Sequence, residues 1–301
     1  MDGKAVSVKI LLTGKDGQVG FELYKKLEMI YEVIATGRDE LDLSNLENIR
    51  HFIDKIKPDM IINTASYTAV DNAESEPDLA YKINVSAVEV ICEKARELNI
   101  PMIHFSTDYV FDGSQHEPYK EIDSANPLSI YGQTKWDAEE LVRNYTKHII
   151  IRTSWVFGAH GNNFLKTILN AIQEKDSLTV IDDQWGAPTS AKMLADVTFE
   201  VIKNIKKNLN FKDYGTYHAV TNGETTWYRY AKYIKEESIR LGLVSKNRNS
   251  EITPILTIDY PTKAKRPLNS RLCTKKIKQT FMIELPHWQK EVKNVLKELI
   301  H

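Results

Sequence analysis

Cysteine is scarce in this chain, and long apolar runs are absent from it. The 301 residues include two cysteines, Cys92 and Cys273, and neither lies in a spacing typical of a metal or redox site. We therefore expect neither a disulfide framework nor a metal centre. No stretch approaches the ~18 consecutive apolar residues that suggest a membrane-spanning helix. The apolar segment 5–12 contains Lys9 and has no cleavage-like site.

An excess of charge of one sign is also lacking, because 40 basic residues balance 41 acidic ones to leave a formal net charge of −1. Such a balance gives no reason to expect nucleic acid or a membrane as a partner. With 42% apolar and 27% charged residues, the composition is that of an ordinary globular protein. The length suits one large α/β domain with a smaller companion. Because the sequence has neither an apolar run of membrane-spanning length nor a cleavage-like site near its N-terminus, we expect a cytoplasmic protein.

Three of the 13 glycines are clustered near the N-terminus at a spacing of three. Gly14, Gly17 and Gly20 follow the apolar run 8–12, which is typical of a buried parallel strand. Apolar residues then recur at helical spacing, at Val19, Leu23 and Leu27. A turn from strand into helix can hold a pyrophosphate, because glycine permits close backbone approach and a helix N-terminus offers free N–H groups. The pattern therefore indicates a dinucleotide site.

The alternation of strand and helix continues downstream. Apolar runs and helical spacing predict strands at 32–36, 60–63 and 102–105, with helices near 46–56 and 77–98. A last strand at 217–220 is expected to return to the sheet. This order of elements predicts the α/β class, with a Rossmann-type doubly wound parallel sheet.

The loops at the carboxyl ends of these strands are expected to border the cofactor, since ligands of open α/β sheets gather there. Residues 65–68 follow the third strand, and we expect Asp42 and Leu43 to flank the adenine. Arg38 follows the second strand, where an arginine can pair with a 2′-phosphate. We therefore expect NADPH to be preferred, although the neighbouring Asp39 leaves NADH open.

Two segments after the fourth strand carry candidate chemistry. Thr107 lies at the end of that strand, and Tyr131 and Lys135 are one turn apart on a predicted helix. A lysine at this spacing can stabilise a phenolate, as ketone reduction requires. Tyr228 has a lysine at the same spacing, but it lies in the aromatic stretch 227–233, which is typical of core packing. We therefore predict that Tyr131 is the reactive tyrosine.

An ordered set of motifs runs through the chain. Its members are Thr-Ala-Val-Asp-Asn-Ala-Glu at 68–74, Ser-Thr-Asp-Tyr-Val-Phe-Asp-Gly at 106–113, Tyr-Gly-Gln-Thr-Lys at 131–135, Arg-Thr-Ser-Trp-Val-Phe-Gly at 152–158, Gly-Asn-Asn-Phe at 161–164 and Asp-Gln-Trp-Gly-Ala-Pro-Thr at 183–189. Together they resemble the dTDP-4-dehydrorhamnose reductase family, within the extended short-chain dehydrogenase/reductase superfamily. The resemblance extends from about residue 8 to about residue 205 and then thins.

This resemblance implies reduction of dTDP-4-dehydro-L-rhamnose to dTDP-L-rhamnose, a sugar donor for bacterial surface polysaccharides. Thr107, Tyr131 and Lys135 match catalytic positions of the family, and Thr107, Asp108 and Trp155 are the expected substrate contacts. With the residues inferred above, the expected contacts to NADPH or NADH are Gly14, Asp16, Gly17, Gln18, Val19, Gly20, Arg38, Asp42, Leu43, Ala65, Ser66, Tyr67, Thr68, Tyr131 and Lys135.

Some members of the family are described as dimers joined through magnesium held by glutamates. Glu22 matches one such position, but Lys192 stands where another glutamate would be. We therefore expect no metal and a monomer or weak homodimer.

The chain is expected to divide into two parts. Residues 1–156 with 178–224 form the predicted NAD(P)-binding Rossmann domain, which includes a candidate strand at 178–181. Residues 157–177 with 225–301 form a smaller, mixed α/β substrate-binding part. Its basic residues could serve a nucleotide diphosphate or lie on a solvated surface. They are Lys263, Lys265, Arg266 and Arg271.

Two other functions stay open on the sequence. A nucleotide-sugar epimerase or dehydratase of the same superfamily would share the fold and the Tyr-Lys pair. The dehydratases that this chain resembles commonly carry an Asp-Glu pair after the threonine, whereas Asp108 is followed here by Tyr109. A non-enzymatic subunit, such as the regulatory subunit of methionine adenosyltransferase, also resembles these reductases.

Overall fold

The computed structural model describes residues 8–208, 210–248 and 250–300. Its strands are β1 (Lys9–Thr13), β2 (Glu32–Thr36), β3 (Met60–Asn63), β4 (Met102–Thr107), β5 (His148–Thr153), β6 (Val156–Phe157), β7 (Ser177–Ile181), β8 (Trp185–Gly186), β9 (Thr189–Ser190), β10 (Gly215–His218), β11 (Thr225–Thr226) and β12 (Glu251–Ile255).

The α-helices are α1 (Gln18–Leu27), α2 (Leu46–Ile56), α3 (Val70–Ala73), α4 (Pro77–Tyr81), α5 (Ala87–Glu97), α6 (Ile130–Arg143), α7 (Phe164–Glu174), α8 (Ala191–Lys207), α9 (Trp227–Arg240), α10 (Lys275–Phe281) and α11 (Trp288–Glu298). Short 3-10 turns follow β4 and β12, at Asp108–Val110 and Thr257–Asp259. No helix in the described part of the chain is both long enough and apolar enough to cross a membrane.

Six strands form one parallel sheet in the order β10-β5-β4-β3-β1-β2. Leu11 of β1 pairs with Ile34 of β2 on one side and with Ile61 of β3 on the other. The chain therefore moves outward from β1 to β2 and then crosses back to β3, which makes the gap between β1 and β3 the topological switch point. Ligands of α/β sheets bind at the carboxyl ends of the strands at such a point. The predicted Rossmann-type sheet is confirmed.

Helices cover both faces of the sheet, because its central strands are apolar on both sides. On one face, Leu12 lies in a core with Leu23 of α1 and Val197 of α8. On the other face, Leu11 lies in a core with Ile91 of α5. This double cover holds the strand ends, and the loops that follow them, in fixed positions.

The predicted helix at 77–98 is interrupted in the structure. α4 ends at Tyr81, a π-helical turn spans Lys82–Ser86, and α5 begins at Ala87. The turn contains Asn84, which is fully buried and bonded to the loop after β3. Single π-helical turns occur frequently at functional sites.

A separate core lies among α7, α9 and α11, where Leu165, Ile234 and Val292 are fully buried. β7 forms a two-stranded parallel sheet with β12, in which Leu178 pairs with Ile252. Strand 178–181, predicted within the Rossmann part, thus lies outside the large sheet, in which β10 is the neighbour of β5. The division of the whole chain into two domains stays a prediction.

Candidate active site

The turn after β1 consists of glycines that allow close backbone approach. Gly14 has a φ of +82°, and its N–H donates to the Thr36 carbonyl at the end of β2 over 2.8 Å. A Cβ atom on Gly14 would lie 2.8 Å from the backbone nitrogen of Ala65, and one on Gly20 would lie 2.0 Å from the Gly14 carbonyl oxygen. Side chains here would force apart the loops at the switch point. The N-terminus of α1, at Gln18, borders the same space and offers N–H groups to an anion.

These loops open into a cleft of about 880 Å³, within the usual range for small-ligand sites. Every residue that the sequence analysis assigned to cofactor, substrate or chemistry lines it. They are Gly14, Asp16, Gly17, Gln18, Val19, Gly20, Arg38, Asp42, Leu43, Ala65, Ser66, Tyr67, Thr68, Thr107, Asp108, Tyr131, Lys135 and Trp155. The fold brings these distant segments together, and the individual roles of the residues stay predictions.

Charged side chains surround the end of β2, where the adenosine part of a dinucleotide is expected. Arg38 is exposed and lines the cleft. The Glu40 carboxylate is paired with Lys15 and accepts a hydrogen bond from the Gly37 N–H over 2.8 Å. Both contacts lower the pKa of Glu40, the Lys15 bond more strongly. Because Glu40 is paired with Lys15, the guanidinium of Arg38 is available to a negative group of a ligand in the cleft.

Helix α6 places the predicted reactive pair against the end of β4. Ser129 caps the helix by accepting a hydrogen bond from the Gly132 N–H over 3.1 Å. A Cβ atom on Gly132 would lie 2.3 Å from the Tyr109 carbonyl oxygen, so glycine lets the helix start approach the segment after β4. The ring of Tyr131 consequently lies edge-on to that of Tyr109, with centroids 6.0 Å apart.

The surroundings of Tyr131 do not lower its pKa, whereas a phenolate stabilised by Lys135 would have a lowered pKa. Burial raises its pKa to about 12, while the Thr107 hydroxyl lowers the pKa and the Asp108 carboxylate raises it, both by less than burial. The Lys135 ammonium is directed at the Phe105 carbonyl instead. At neutral pH Tyr131 is therefore protonated and able to give a proton.

Lys135 is buried beneath the cleft. Its Nζ donates to the Phe105 carbonyl over 2.6 Å and lies 3.4 Å from His104 Nε2. Burial lowers the pKa of Lys135 to about 8, although Glu139, one turn along α6, acts in the opposite direction. The lysine thus titrates close to neutral pH.

The Asp108 carboxyl is buried beside Thr107. Thr107 Oγ1 donates to Asp108 Oδ1 over 2.9 Å, whereas Oδ2 has no partner among the described residues. Burial raises the pKa of Asp108 to about 7, against smaller lowering effects of Ser270 and Thr107. A buried oxygen without a partner costs free energy, so a ligand hydroxyl that donates to Oδ2 would bind favourably.

Trp155 combines an unusual backbone with an aromatic contact. Its φ of +47° is rare for a bulky residue, and its ring stacks on Trp227 with centroids 3.6 Å apart. A Cβ atom at Gly186 would lie 2.5 Å from Trp155 Cε2, so glycine makes room for this ring. Backbone strain of this kind clusters at binding sites. The aromatic stretch 227–233 is typical of core packing, but its first residue, Trp227, lines the cleft.

Asn84 is a second residue whose position at the site the sequence analysis missed. Its Oδ1 accepts a hydrogen bond from the Tyr67 N–H over 2.7 Å. Its Nδ2 donates to the Tyr67 carbonyl over 3.2 Å and to Thr134 Oγ1 over 3.0 Å. Asn84 therefore fixes the loop 65–68 against α6. The sequence pattern predicted only a helix near 77–98 that contains Asn84.

The basic tail residues contact protein groups. Arg266 forms an ion pair with Asp71 at 2.6 Å, and Arg271 forms one with Glu224 at 3.0 Å. These pairs tie the tail to other parts of the chain, and neither arginine is among the residues that line the cleft. Their placement gives no support to a role in binding a diphosphate.

Comparisons with known proteins agree with this geometry. A family model described as the RmlD substrate binding domain matches residues 8–301. The dTDP-4-dehydrorhamnose reductase of Escherichia coli (strain K12) is 45% identical over 298 residues, which cover 97% of this chain and 98% of that protein. The protein of the same name from Shigella flexneri is 44% identical with the same coverage.

Two of the solved structures that resemble this chain are reductases of the same name. The dTDP-4-dehydrorhamnose reductase of Clostridium acetobutylicum ATCC 824 superposes with a TM-score of 0.89 at 38% identity, covering 98% of this chain and 100% of that one. The reductase of Bacillus anthracis str. Ames, solved in complex with NADP, gives a TM-score of 0.88 at 30% identity, covering 97% and 99%. The chain therefore belongs to the RmlD family, that of the dTDP-4-dehydrorhamnose reductases.

Proposed function

We propose that this chain uses NADPH, or NADH, to reduce the 4-keto group of dTDP-4-dehydro-L-rhamnose, which yields dTDP-L-rhamnose for surface-polysaccharide synthesis. The observation that carries the proposal is that Thr107, Tyr131 and Lys135 lie in the same cleft as the glycine turn. The names of the relatives support it, since the Escherichia coli and Shigella flexneri proteins are both named dTDP-4-dehydrorhamnose reductase. The chain is thus an oxidoreductase.

The residues present fit a nicotinamide dinucleotide. The N-terminus of α1 behind Gly14 suits a pyrophosphate, and the exposed Arg38 suits a 2′-phosphate. Asp42 and Leu43 would flank the adenine, and loop 65–68 would border the rest of the cofactor. The bound nicotinamide supplies the hydride that adds to the sugar carbonyl carbon. The NADP complex of the Bacillus anthracis relative supports NADPH as the preferred form.

Tyr131 gives a proton to the carbonyl oxygen as that oxygen becomes negative. Burial favours the neutral tyrosine, so the proton is in place at neutral pH. Lys135 then offsets part of the cost of the phenolate and holds the nicotinamide ribose. Proton transfer from a positioned side chain contributes about 10²–10⁴-fold to a rate.

Thr107 is the second group that can bond the substrate oxygen, as in an oxyanion site. Its hydroxyl donates to Asp108 in the structure. To donate to the substrate it must rotate away from Asp108, or Asp108 must carry a proton and become the donor in that pair. The raised pKa of Asp108, about 7, makes its protonated form accessible near neutral pH.

On the sugar side, Asp108 and Trp155 bind the substrate. Asp108 Oδ2 accepts a sugar hydroxyl, which satisfies an oxygen that has no partner among the described residues. The stacked rings of Trp155 and Trp227 offer an apolar wall to the sugar or the base. Trp227, the first residue of α9, contributes to this wall, which supports the expected substrate-binding role of residues 225–301.

The purified protein, mixed with NADPH and dTDP-4-dehydro-L-rhamnose, tests the proposal. We expect stoichiometric oxidation of NADPH and formation of dTDP-L-rhamnose, identified by mass spectrometry and NMR. An epimerase or dehydratase would give no net oxidation of NADPH, and a non-enzymatic subunit would give no turnover. Either result would contradict the proposal.

The remaining expectations concern where the protein works and with what. A cytoplasmic location, a monomer or weak homodimer, and the lack of nucleic-acid and membrane partners stay predictions. The substrate is a small nucleotide sugar, as in the named relatives. Light scattering of the purified protein with and without magnesium would measure its oligomeric state.

A further inference from the structure

Lys135 ends a chain of buried polar side chains that leads to the glycine turn. Its Nζ lies 3.4 Å from His104 Nε2, and His104 Nδ1 lies 3.1 Å from Asn63 Nδ2. Asn63 Oδ1 accepts a hydrogen bond of 2.6 Å from the hydroxyl of Thr13, which directly precedes Gly14. The four side chains belong to residues at most 2% exposed. These contacts are therefore shielded from bulk solvent.

Thr13, Asn63 and His104 share the ability to reverse the direction of their hydrogen bonds. A hydroxyl rotates, a primary amide flips, and a neutral imidazole carries its proton on either ring nitrogen. His104 is neutral, because burial lowers its pKa well below the usual value and the nearby Lys135 lowers it further. The Phe105 carbonyl, the other partner of Lys135, can only accept.

We propose that His104 is a positioning residue that stays bonded to Lys135 in both protonation states of the lysine. When Lys135 is an ammonium, His104 Nε2 accepts from it. The Asn63 amide is then flipped from the orientation in the structure, so that its oxygen accepts from His104 Nδ1–H and its Nδ2 donates to Thr13 Oγ1. When Lys135 is a neutral amine, His104 Nε2–H donates to the amine lone pair, and Nδ1 accepts from the Asn63 amide. No buried donor then faces another donor, so Nζ keeps its position.

The proton balance is simple. Lys135 passes one proton to His104 Nε2 and the imidazole loses its Nδ1 proton to a transient water, so the pair loses one proton in total and the imidazole stays neutral. This inference rests on the proposed reduction, in which Lys135 supports the proton transfer by Tyr131. A lysine that changes protonation state without moving keeps both Tyr131 and the nicotinamide ribose in their positions for the reaction.

The ionisable groups that act on Lys135 are His104 on β4 and Glu139 on α6. Arg152 and Arg143 pair with Glu139 in turn, and Tyr131 lies one turn before Lys135 on α6. Glu139 is fully buried and paired with Arg152 at 2.7 Å. Because Arg152 offsets its charge, Glu139 counteracts only part of the effect of burial on Lys135. We therefore expect the tautomer of His104 to change over the pH range in which Lys135 titrates.

Nitrogen-15 NMR of histidine-labelled protein tests the tautomers without cofactor or substrate. The His104 signals are identified by their loss in His104→Phe, or in His104→Gln if the first variant fails to fold. They should report the Nδ1–H tautomer at about pH 6 and the Nε2–H tautomer at about pH 10. The change should be centred near the Lys135 pKa of about 8. A tautomer that stays the same over this range overturns the proposal.

Turnover gives a second measurement. His104→Phe keeps a ring but loses both hydrogen bonds, so kcat should fall roughly ten- to a hundredfold, as expected for a lost bond to a charged group. The KM for the sugar nucleotide should stay nearly constant, and the ionisation of Lys135 in the pH profile of kcat should move. His104→Gln, whose amide can donate or accept, should recover most of kcat. His148→Phe, at the amino end of β5, is the control and should change neither quantity.

The wild-type protein separates this inference from the proposed reduction. If the wild type does not oxidise NADPH with the keto sugar, the proposed function is wrong, and the tautomer measurement still decides the role of His104. If the wild type turns over while His104→Phe keeps its kcat and its pH profile, the role of His104 is overturned.

Discussion

The Thr107 hydroxyl donates a hydrogen bond of 2.9 Å to Asp108 Oδ1, which joins a proposed oxyanion donor to a buried carboxyl. Burial raises the pKa of that carboxyl to about 7. Ionisation of Asp108 therefore decides whether Thr107 is held as a donor to it or is free to donate to the substrate. The protonation state of one side chain thus acts on the hydrogen bonding of its neighbour.

Asp108→Asn should remove a pH dependence of stability. The folded pKa of about 7 lies above the ordinary value of 3.8, so between these values the folded state binds more protons than the unfolded state. Stability of the wild type should therefore fall as the pH rises from about 4 to about 7, by roughly 1–4 kcal/mol. Thermal unfolding across this range should show a flatter curve for the variant. Asp137→Asn, on α6, is the control, and an equal slope in Asp108→Asn and wild type would contradict the prediction.

Tyr131→Phe should abolish most of the turnover, because it removes the proton donor and keeps the ring. We expect kcat to fall by roughly 10²–10⁴-fold, with little change in cofactor affinity. Rapid-mixing kinetics with NADPH and the keto sugar measures the chemical step. Tyr228→Phe is the matched control, since Tyr228 has a lysine at the same spacing and should keep the wild-type kcat. Nearly full turnover in Tyr131→Phe would show that the assignment is wrong.

Arg38→Ala should weaken NADPH more than NADH. The guanidinium can pair with the 2′-phosphate that only NADPH carries, and an effect of about tenfold corresponds to about 1.4 kcal/mol. Fluorescence titration of both cofactors measures the two dissociation constants. Arg50→Ala, which changes an arginine paired with Glu93 on the far surface of α2, is the control. An equal loss for NADH and NADPH would leave no selective role for Arg38.

Trp155→Phe should raise the KM for the sugar nucleotide and leave unfolding nearly unchanged. The ring lines the cleft and stacks on Trp227, so a smaller ring removes part of the wall that the substrate contacts. Steady-state kinetics and thermal unfolding measure the two effects. Trp288→Phe, in the core around α9 and α11, should do the reverse and lower the Tm without raising KM. A large loss of stability with unchanged KM in Trp155→Phe would favour a packing role.

Short-range patterns were enough to predict the sheet and the position of the cleft. The run at β1 and the glycines after it encode a buried strand and a close turn within a dozen neighbouring residues. The pair Tyr131 and Lys135 was likewise readable, because residues four apart share one face of a helix. Segments that fold through local spacing and turn geometry carry their signal in adjacent positions.

Packing between distant segments decided the rest. The direction of the Lys135 ammonium on α6 depends on His104 and Phe105 of strand β4. Burial by the assembled core raises the pKa of Tyr131, which the spacing of Tyr131 and Lys135 did not indicate. Strand β7 pairs with β12, a strand much later in the chain, and not with the large sheet, whose edge beside β5 is taken by β10. Trp227 lines the cleft and stacks on Trp155, a residue much earlier in the chain. Desolvation, edge pairing and stacking depend on which surfaces meet, and periodicity within one segment does not contain that information.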